Sequence, residues 1–211
     1  MTTRAELRQK IRDELNDNAA AKLWTDALLN DFIVQAIRAY GRELPKQASA
    51  TITAVADQVA YTLPIDFDRA MRVEQPDDDL RVLSSGFRGE LGARDSQLGT
   101  YRVWGSQLTL DPAPAAAGSD QDISLEYLAR YAEPAVDGDT LATPLSDDDV
   151  LVAFACADAM RWIGSDEAKR ARFERQRGAS PGGAAEAYER RAQAAIASRK
   201  RRLRSSTLAP L

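Results

Sequence analysis

Three acidic side chains in a row occur twice in this sequence, at Asp77–Asp79 and at Asp147–Asp149. Grouped carboxylates are the ligands a hard cation seeks. Consecutive residues on a helix, however, fan out over about 200° in a run of three. Asp147–Asp149 therefore cannot converge on one ion if the segment is helical. Their expected role is to complement the positive end of a helix dipole. Asp77–Asp79 follow Pro76 and read as a solvated acidic turn. The lone cysteine, Cys156, lies within "VAFACADAM" and is expected to be a small buried hydrophobe. Trp24, Trp104 and Trp162 could stack on bases, but Trp24 has a staple role before a helix and Trp162 ends a core helix, so both are expected in the core.

The chemistry the chain lacks narrows the field further. Among 211 residues there is no histidine and one cysteine. A Ser-His-Asp triad, a zinc finger and a His-based metalloprotease are excluded, and no internal disulfide can form. Gly182-Gly183 is not followed by the Lys-Ser/Thr of a phosphate loop. An enzyme built from carboxylates and Lys/Arg alone remains a third-ranked class, with no substrate pocket identified. No cofactor or metal is expected.

A different opportunity lies in the last residues, "SRKRRLRSSTLAPL". Arg199, Lys200, Arg201, Arg202 and Arg204 form a basic run around Leu203, and Leu208, Pro210 and Leu211 follow in an uncharged tail. Residues 161–211 carry 13 Lys/Arg against 5 Asp/Glu, whereas residues 1–160 carry 15 against 27. A basic end on an acidic chain is a solvated face, a phosphate-binding segment or a docking segment. Phosphate binding would gain little from the apolar "TLAPL". Leu203 continues a helical stripe, and an apolar tail suits a groove or sheet edge on a protein partner. These features favour docking over phosphate binding, and the solvated face stays open on the residues alone.

These residues must be positioned by ordinary elements. With 44% hydrophobic and 28% charged residues, the chain has the balance of an ordinary globular protein. Its apolar runs fall short of a membrane span. Charged residues interrupt residues 1–10, so no signal peptide is expected.

Thr3–Glu6 has capping-box spacing, and Leu7, Ile11 and Leu15 make a helical stripe ending near Asn16–Asn18. Thr25 caps a second helix, with Trp24 and Leu29 placed as a hydrophobic staple and Pro45 ending it. The period then changes. "ATITAV", "VAYTL", Ala70–Glu74 and "LRVL" read as strands, with Pro76–Asp79 as a turn. Residues 84–99 read as a loop. "YRVWGSQLTL" reads as a hairpin with a Gly105-Ser106 II′ turn. That register pairs Trp104 with Gln107, Val103 with Leu108 and Tyr101 with Leu110. Trp104 is then an exposed aromatic on the opposite face from Val103, and its expected role is a subunit contact. "ISLEYLARY" supplies another strand.

Helices return with Ser146 as N-cap and Gly164 as terminator. A charged helix covers Glu167–Gln176, and a last helix starts at Ser180-Pro181. The expected fold class is α+β. Residues 1–48 and 145–204 form a helical domain, 49–131 an inserted antiparallel β domain, and 205–211 a flexible tail.

This order resembles the head-to-tail connector (adaptor) proteins of tailed bacteriophages. The resemblance rests on "LWTDALLNDFIVQAIRAY", "YTLPIDFDRAMRVE", "YRVWGSQLTLDPAP" with "ISLEYLARY", and "LSDDDVLVAFACADAMRWIGSDEAKRARFERQ". It implies a non-enzymatic virion neck protein, present in the host cytoplasm during assembly. Its copies would form a homo-oligomeric ring of 12 subunits. The ring would bind a portal protein on one side and tail or stopper proteins on the other. Double-stranded DNA would pass through the bore without sequence-specific binding, and no membrane is involved. In that setting Arg199–Arg204, Leu208, Pro210 and Leu211 would dock on the portal. Asp77, Asp78 and Asp79 would line the channel, where like charge keeps DNA from sticking. The alternative is a nucleic-acid-binding accessory protein that uses the basic C-terminal helix.

Overall fold

The computed structural model describes residues 1–20, 22–77, 79–85, 99–114, 122–178 and 180–206, with backbone alone at 76–77, 79–82, 84, 172, 176–177 and 202–206. Mixed α+β architecture is observed. Two compact units are present, Met1–Pro45 with Tyr131–Leu211, and Lys46–Arg130. No helix among the described residues is long and apolar enough to cross a membrane.

In the helical unit, α1 (Arg4–Leu15) opens on the expected capping box: the Thr3 hydroxyl accepts from the Glu6 N–H and the Glu6 carboxylate accepts from the Thr3 N–H. It closes at Asn16, whose φ is +50°, a conformation asparagine tolerates better than most residues. α2 (Asp26–Glu43) is capped by the Thr25 hydroxyl. The central element is α3 (Asp148–Gly164), which packs against α1, α2 and α5 (Pro181–Ser206). It can be central because small and aliphatic residues occupy nearly every face, as a helix buried all round requires. Leu151, Ala153, Ala155, Cys156, Ala159 and Ile163 are all fully buried. α4 (Glu167–Arg177) is capped by Asp166 and ends at Gly178, whose φ is +63°.

Two expectations change here. Ser146 does not cap α3. Residues Leu145–Asp147 form a single 3-10 turn instead, and Asp147 occupies the cap position without bonding the helix backbone. The Asp147 carboxylate is engaged elsewhere, as shown below. The last helix also runs to Ser206, into the segment expected to be tail, because Arg, Leu and Ser all tolerate helix. Residues 207–211 lie outside the described residues.

In the sheet unit, β1 (Lys46–Ile52), β8 (Ile123–Ala129), β3 (Phe67–Asp77) and β4 (Asp79–Val82) form one sheet in the order β1-β8-β3-β4. The second has the order β2-β7-β6-β5, from β2 (Ala60–Thr62), β7 (Gln107–Asp111), β6 (Thr100–Trp104) and β5 (Ser84–Ser85). All pairs are antiparallel except β5–β6. Tyr61, Val73, Leu108, Leu110, Leu125 and Tyr127 join one core, so the two sheets bury their apolar faces in common. The register of β6 and β7 is the expected one, Trp104 opposite Gln107 through Tyr101 opposite Leu110. Gly105 has φ +58° and Ser106 does not have positive φ, which fits a II′ turn.

β3 is longer than its periodicity suggested. Pairing continues through Pro76 to Asp77, opposite Leu80 and Asp79, so Asp77 and Asp79 sit at the end of the β3–β4 ladder. Ser84–Ser85, expected in a loop, pair with Thr100–Tyr101. Residues 86–98 of that expected loop lie outside the described residues.

Candidate docking and assembly surfaces

The basic run depends on α5, and α5 is built by local sequence. Its first turn has Pro181 at the leading helical position, with the Ser180 hydroxyl accepting from the Gly183 N–H at 3.2 Å. Cap and fixed proline φ together favour a start there. Ala185, Ala192 and Ile196 are buried, and this stripe lays the helix on α3. Ion pairs flank the stripe: Glu189 with Arg161 at 2.5 Å and Arg191 with Glu14 at 2.7 Å.

Further along α5, two members of the basic run are tied down within the unit. Arg199 Nε lies 3.1 Å from Asp147 Oδ2, and Arg199 Nη1 donates to the Ser146 hydroxyl at 3.1 Å. Lys200 Nζ lies 2.7 Å from Glu43 Oε2. Asp147 is buried and also accepts from the Tyr40 hydroxyl. Burial, reinforced by that bond, raises the Tyr40 phenol far above its ordinary pKa. Tyr131 meets the Tyr40 ring edge-on at 5.3 Å and is raised too, chiefly by burial. Tyr40 therefore stays a proton donor, and Arg199 supplies the countercharge that a buried carboxylate needs.

Arg201 is exposed. Arg202, Leu203 and Arg204 belong to the last turns of α5, where backbone alone is described. Leu208, Pro210 and Leu211 lie outside the described residues.

The Asp147–Asp149 run splays as helix geometry requires, but its role is not simply dipole complementation. Asp147 faces α2 and α5. Asp148 is buried and accepts from the Thr2 hydroxyl and from Lys10 Nζ at 2.6 Å. Asp149 is exposed. Tertiary ion pairing won over solvation because cations from α1 and α5 arrive beside the same turn. No group of three metal-binding side chains occurs among the described residues. At the other acidic run, Asp77 and Asp79 are cross-strand partners at the β3–β4 tip. Asp78 lies outside the described residues.

Trp104 is 82% exposed beside the Gly105 turn, on the face where it was expected. Trp24 is buried, and its indole N–H donates to the Ala159 carbonyl at 3.2 Å. Trp162 is half-buried with Lys169 Nζ 3.9 Å above its ring. Burial pushes the Cys156 thiol up to about 12, which keeps it protonated and unreactive at neutral pH.

One structural device had no place in the sequence reading. Residues 131–144 strap the helical unit together. Asp137 takes Arg8 and Arg4, each at 2.8 Å, and these bonds, Arg8 first, hold its carboxyl far below the usual range. Arg38 grips Glu133 at 2.6 Å, and Leu141 N–H donates to the Thr2 carbonyl at 2.9 Å. The available signal was "DGD" at residues 137–139, a turn motif, combined with arginines one helical turn apart at positions 4 and 8. A cavity of about 550 Å³ opens between α2, α3 and α5, where Phe32 and Phe154 meet Arg42, Arg161 and Glu189. Arg161 is paired there with both Asp158 and Glu189, so these groups are engaged with each other.

Comparison with known proteins adds three findings. The sequence model of the SU10 adaptor protein family matches residues 2–211. No curated protein matches the chain. Among solved structures, a chain from the neck of an empty GTA particle computed with C6 symmetry is similar at 16% identity. The alignment covers 72% of this chain and 76% of that one, with a TM-score of 0.32.

Proposed function

This chain belongs to the SU10 adaptor protein family, and from that premise we propose that it is a structural component of a tailed-phage virion neck. Its copies close into a ring that joins the portal to tail or stopper proteins and surrounds the DNA path. It performs no catalysis. Its work is geometric, converting one protein surface into a platform for the next. The family match along almost the whole chain is the observation that carries this reading.

The C-terminal helix supports a docking role. Arg199 and Lys200 are held by Asp147 and Glu43, so the chain beyond them continues from a fixed anchor rather than from a loose end. Preorganising a docking segment in this way lowers the ordering entropy lost on binding. The segment that meets the portal is then residues 201–211, not the whole run from Arg199. In the ring, the Asp77–Asp79 tip lines the bore. The proposed ring has 12 subunits.

The nucleic-acid reading is weakened by the same two ion pairs. With Arg199 and Lys200 already paired within the helical unit, fewer cations of the basic run are left for phosphates. Fewer phosphate contacts release fewer counterions, which leaves a smaller electrostatic drive for binding DNA.

The experiment is deletion of residues 202–211, followed by co-sedimentation with purified portal rings of the same phage. The deletion spares Arg199 and Lys200, so the helical unit keeps its ion pairs and its melting temperature. Loss of portal binding is expected. Unimpaired binding would overturn the docking assignment, and absence of portal binding by the intact chain would overturn the neck reading.

A further inference from the structure

We propose that the sheet unit carries both halves of a head-to-tail contact between copies of this chain, with the Ile65–Trp104 tip of one copy seated on the Val55–Val59 turn of the next. The inference rests on the ring reading above and gives it a surface and a polarity.

The first half is a pair of large apolar residues that the fold leaves in water. Trp104 precedes the Gly105 turn, and Ile65 lies in the Pro64–Phe67 turn, closed by the Phe67 N–H on the Pro64 carbonyl at 3.0 Å. Ile65 is fully exposed and Trp104 nearly so. Neither turn needs a large apolar residue there, since turns favour small and polar ones. The Leu63 N–H donates to the Ser106 carbonyl at 2.9 Å. That bond places both turns at the same end of the β2–β7 ladder, with Val103 at the rim. A lone exposed apolar residue is ordinary, but a tryptophan and an isoleucine together at one tip form a patch.

The second half lies at the other end of the same ladder. There the Val59 carbonyl accepts from the Leu110 N–H at 2.8 Å, and the Val55 carbonyl accepts from the Gln58 N–H at 3.1 Å. The turn so formed has Asp57 at φ +62° and leaves Val55 and Val59 about half exposed. Its chemistry complements the first tip. A tryptophan seeks an apolar bed and one acceptor for its indole N–H. Two valines flanking an exposed carboxylate offer both.

The occupant follows from the arrangement. Two unlike, mutually complementary surfaces at opposite ends of one rigid ladder repeat head to tail. A closed series of such heterologous contacts is a ring, whereas a two-fold dimer would pair like with like. The tip is also small. Trp104 offers on the order of 200 Å², well under the roughly 1,000 Å² total that a stable pair needs. The contact is therefore weak between two free copies and holds once neighbours are concentrated on a common platform.

Sedimentation velocity from micromolar to millimolar concentration tests this, using two double variants that keep their folds. One is Trp104→Ser with Ile65→Ser; the other is Val55→Asp with Val59→Asp. Unchanged melting temperatures verify folding. The wild-type chain is expected to form species beyond a dimer at the high end. Each variant alone is expected to stay monomeric, and an equal mixture to form dimers and nothing larger, because only one intact pair of surfaces remains. Wild-type oligomers that survive both variants would overturn the proposal and leave the ring reading standing. Loss of association in the Trp104/Ile65 variant while the Val55/Val59 variant still associates like the wild type would also overturn it, pointing to a two-fold contact. A wild-type chain that stays monomeric at millimolar concentration would overturn this contact, while portal-templated ring formation would still be read by the co-sedimentation above.

Discussion

The helical unit and the sheet unit handle their awkward side chains in opposite ways. In the helical unit charge goes inward and is matched. Arg12 is buried among Asp17, Asp26 and the Trp24 carbonyl; Asp147 holds Tyr40 and Arg199, and Asp148 holds Thr2 and Lys10. In the sheet unit large apolar groups are left uncovered on strands and turns, with Ile65, Met71 and Trp104 the largest, whereas those uncovered in the helical unit, Met1, Val136 and Leu145, lie outside its α-helices. Buried ion pairs contribute less to net stability than apolar packing would, but removing one partner is costly, so they penalise alternative packings. Exposed apolar groups cost solubility and are tolerated where another surface covers them. The contrast lies in what each unit tolerates: the helical unit matches charge in its interior, and the sheet unit leaves large apolar groups in water.

The strongest way to break this contrast is Arg12→Ala. It strands Asp17 in the interior and is expected to destabilise the helical unit by about 3–5 kcal/mol. Urea denaturation followed by fluorescence of the buried Trp24 would measure it. A cost below about 1 kcal/mol, in the range of surface pairs, would mean the matched charges do not define the unit.

A smaller effect is expected from acid. Asp137 has its folded pKa depressed by Arg8 and Arg4, so its contribution is present above the unfolded value of about 3.9 and lost as pH falls through the lower folded value. Melting temperature should therefore drop progressively below about pH 4. Asp137→Asn should lower it at pH 7 and flatten the acid limb. A variant whose profile parallels the wild type would remove the strap from the account.

The smallest effect sharpens the other side. Trp104→Ser should change the stability of the isolated chain by no more than about 0.5 kcal/mol, measured by the same denaturation. A large loss would show that Trp104 is packing its own unit, which would end its role as an outward contact.

What could be read in advance follows from the range of the interactions. The Thr3–Glu6 capping box and the Gly105 turn are set within a few residues, and both appeared as expected. The alternation of β7 was readable for the same reason, as was the exposure of Trp104, whereas β6 does not alternate: Arg102, Val103 and Trp104 are all exposed at its end. The partners of the Asp147–Asp149 run were not readable. Tyr40 and Lys10 lie 107 and 138 residues away from their aspartates, and nothing local distinguishes a solvated aspartate from one awaiting a distant cation. The same holds for Arg199, which reads as part of a free basic run until Asp147 is seen beside it. β3 was underestimated because Pro76 suggested a turn, whereas its pairing with Leu80 carries the ladder on to Asp77.

The central claim is that this chain works by assembling on a portal. Electron microscopy of the purified chain mixed with portal rings of the same phage tests it directly. The account predicts a closed ring of this chain seated coaxially on the portal, with the sheet units in contact around the circle. Portal rings that remain bare at saturating concentrations of the folded chain would contradict it.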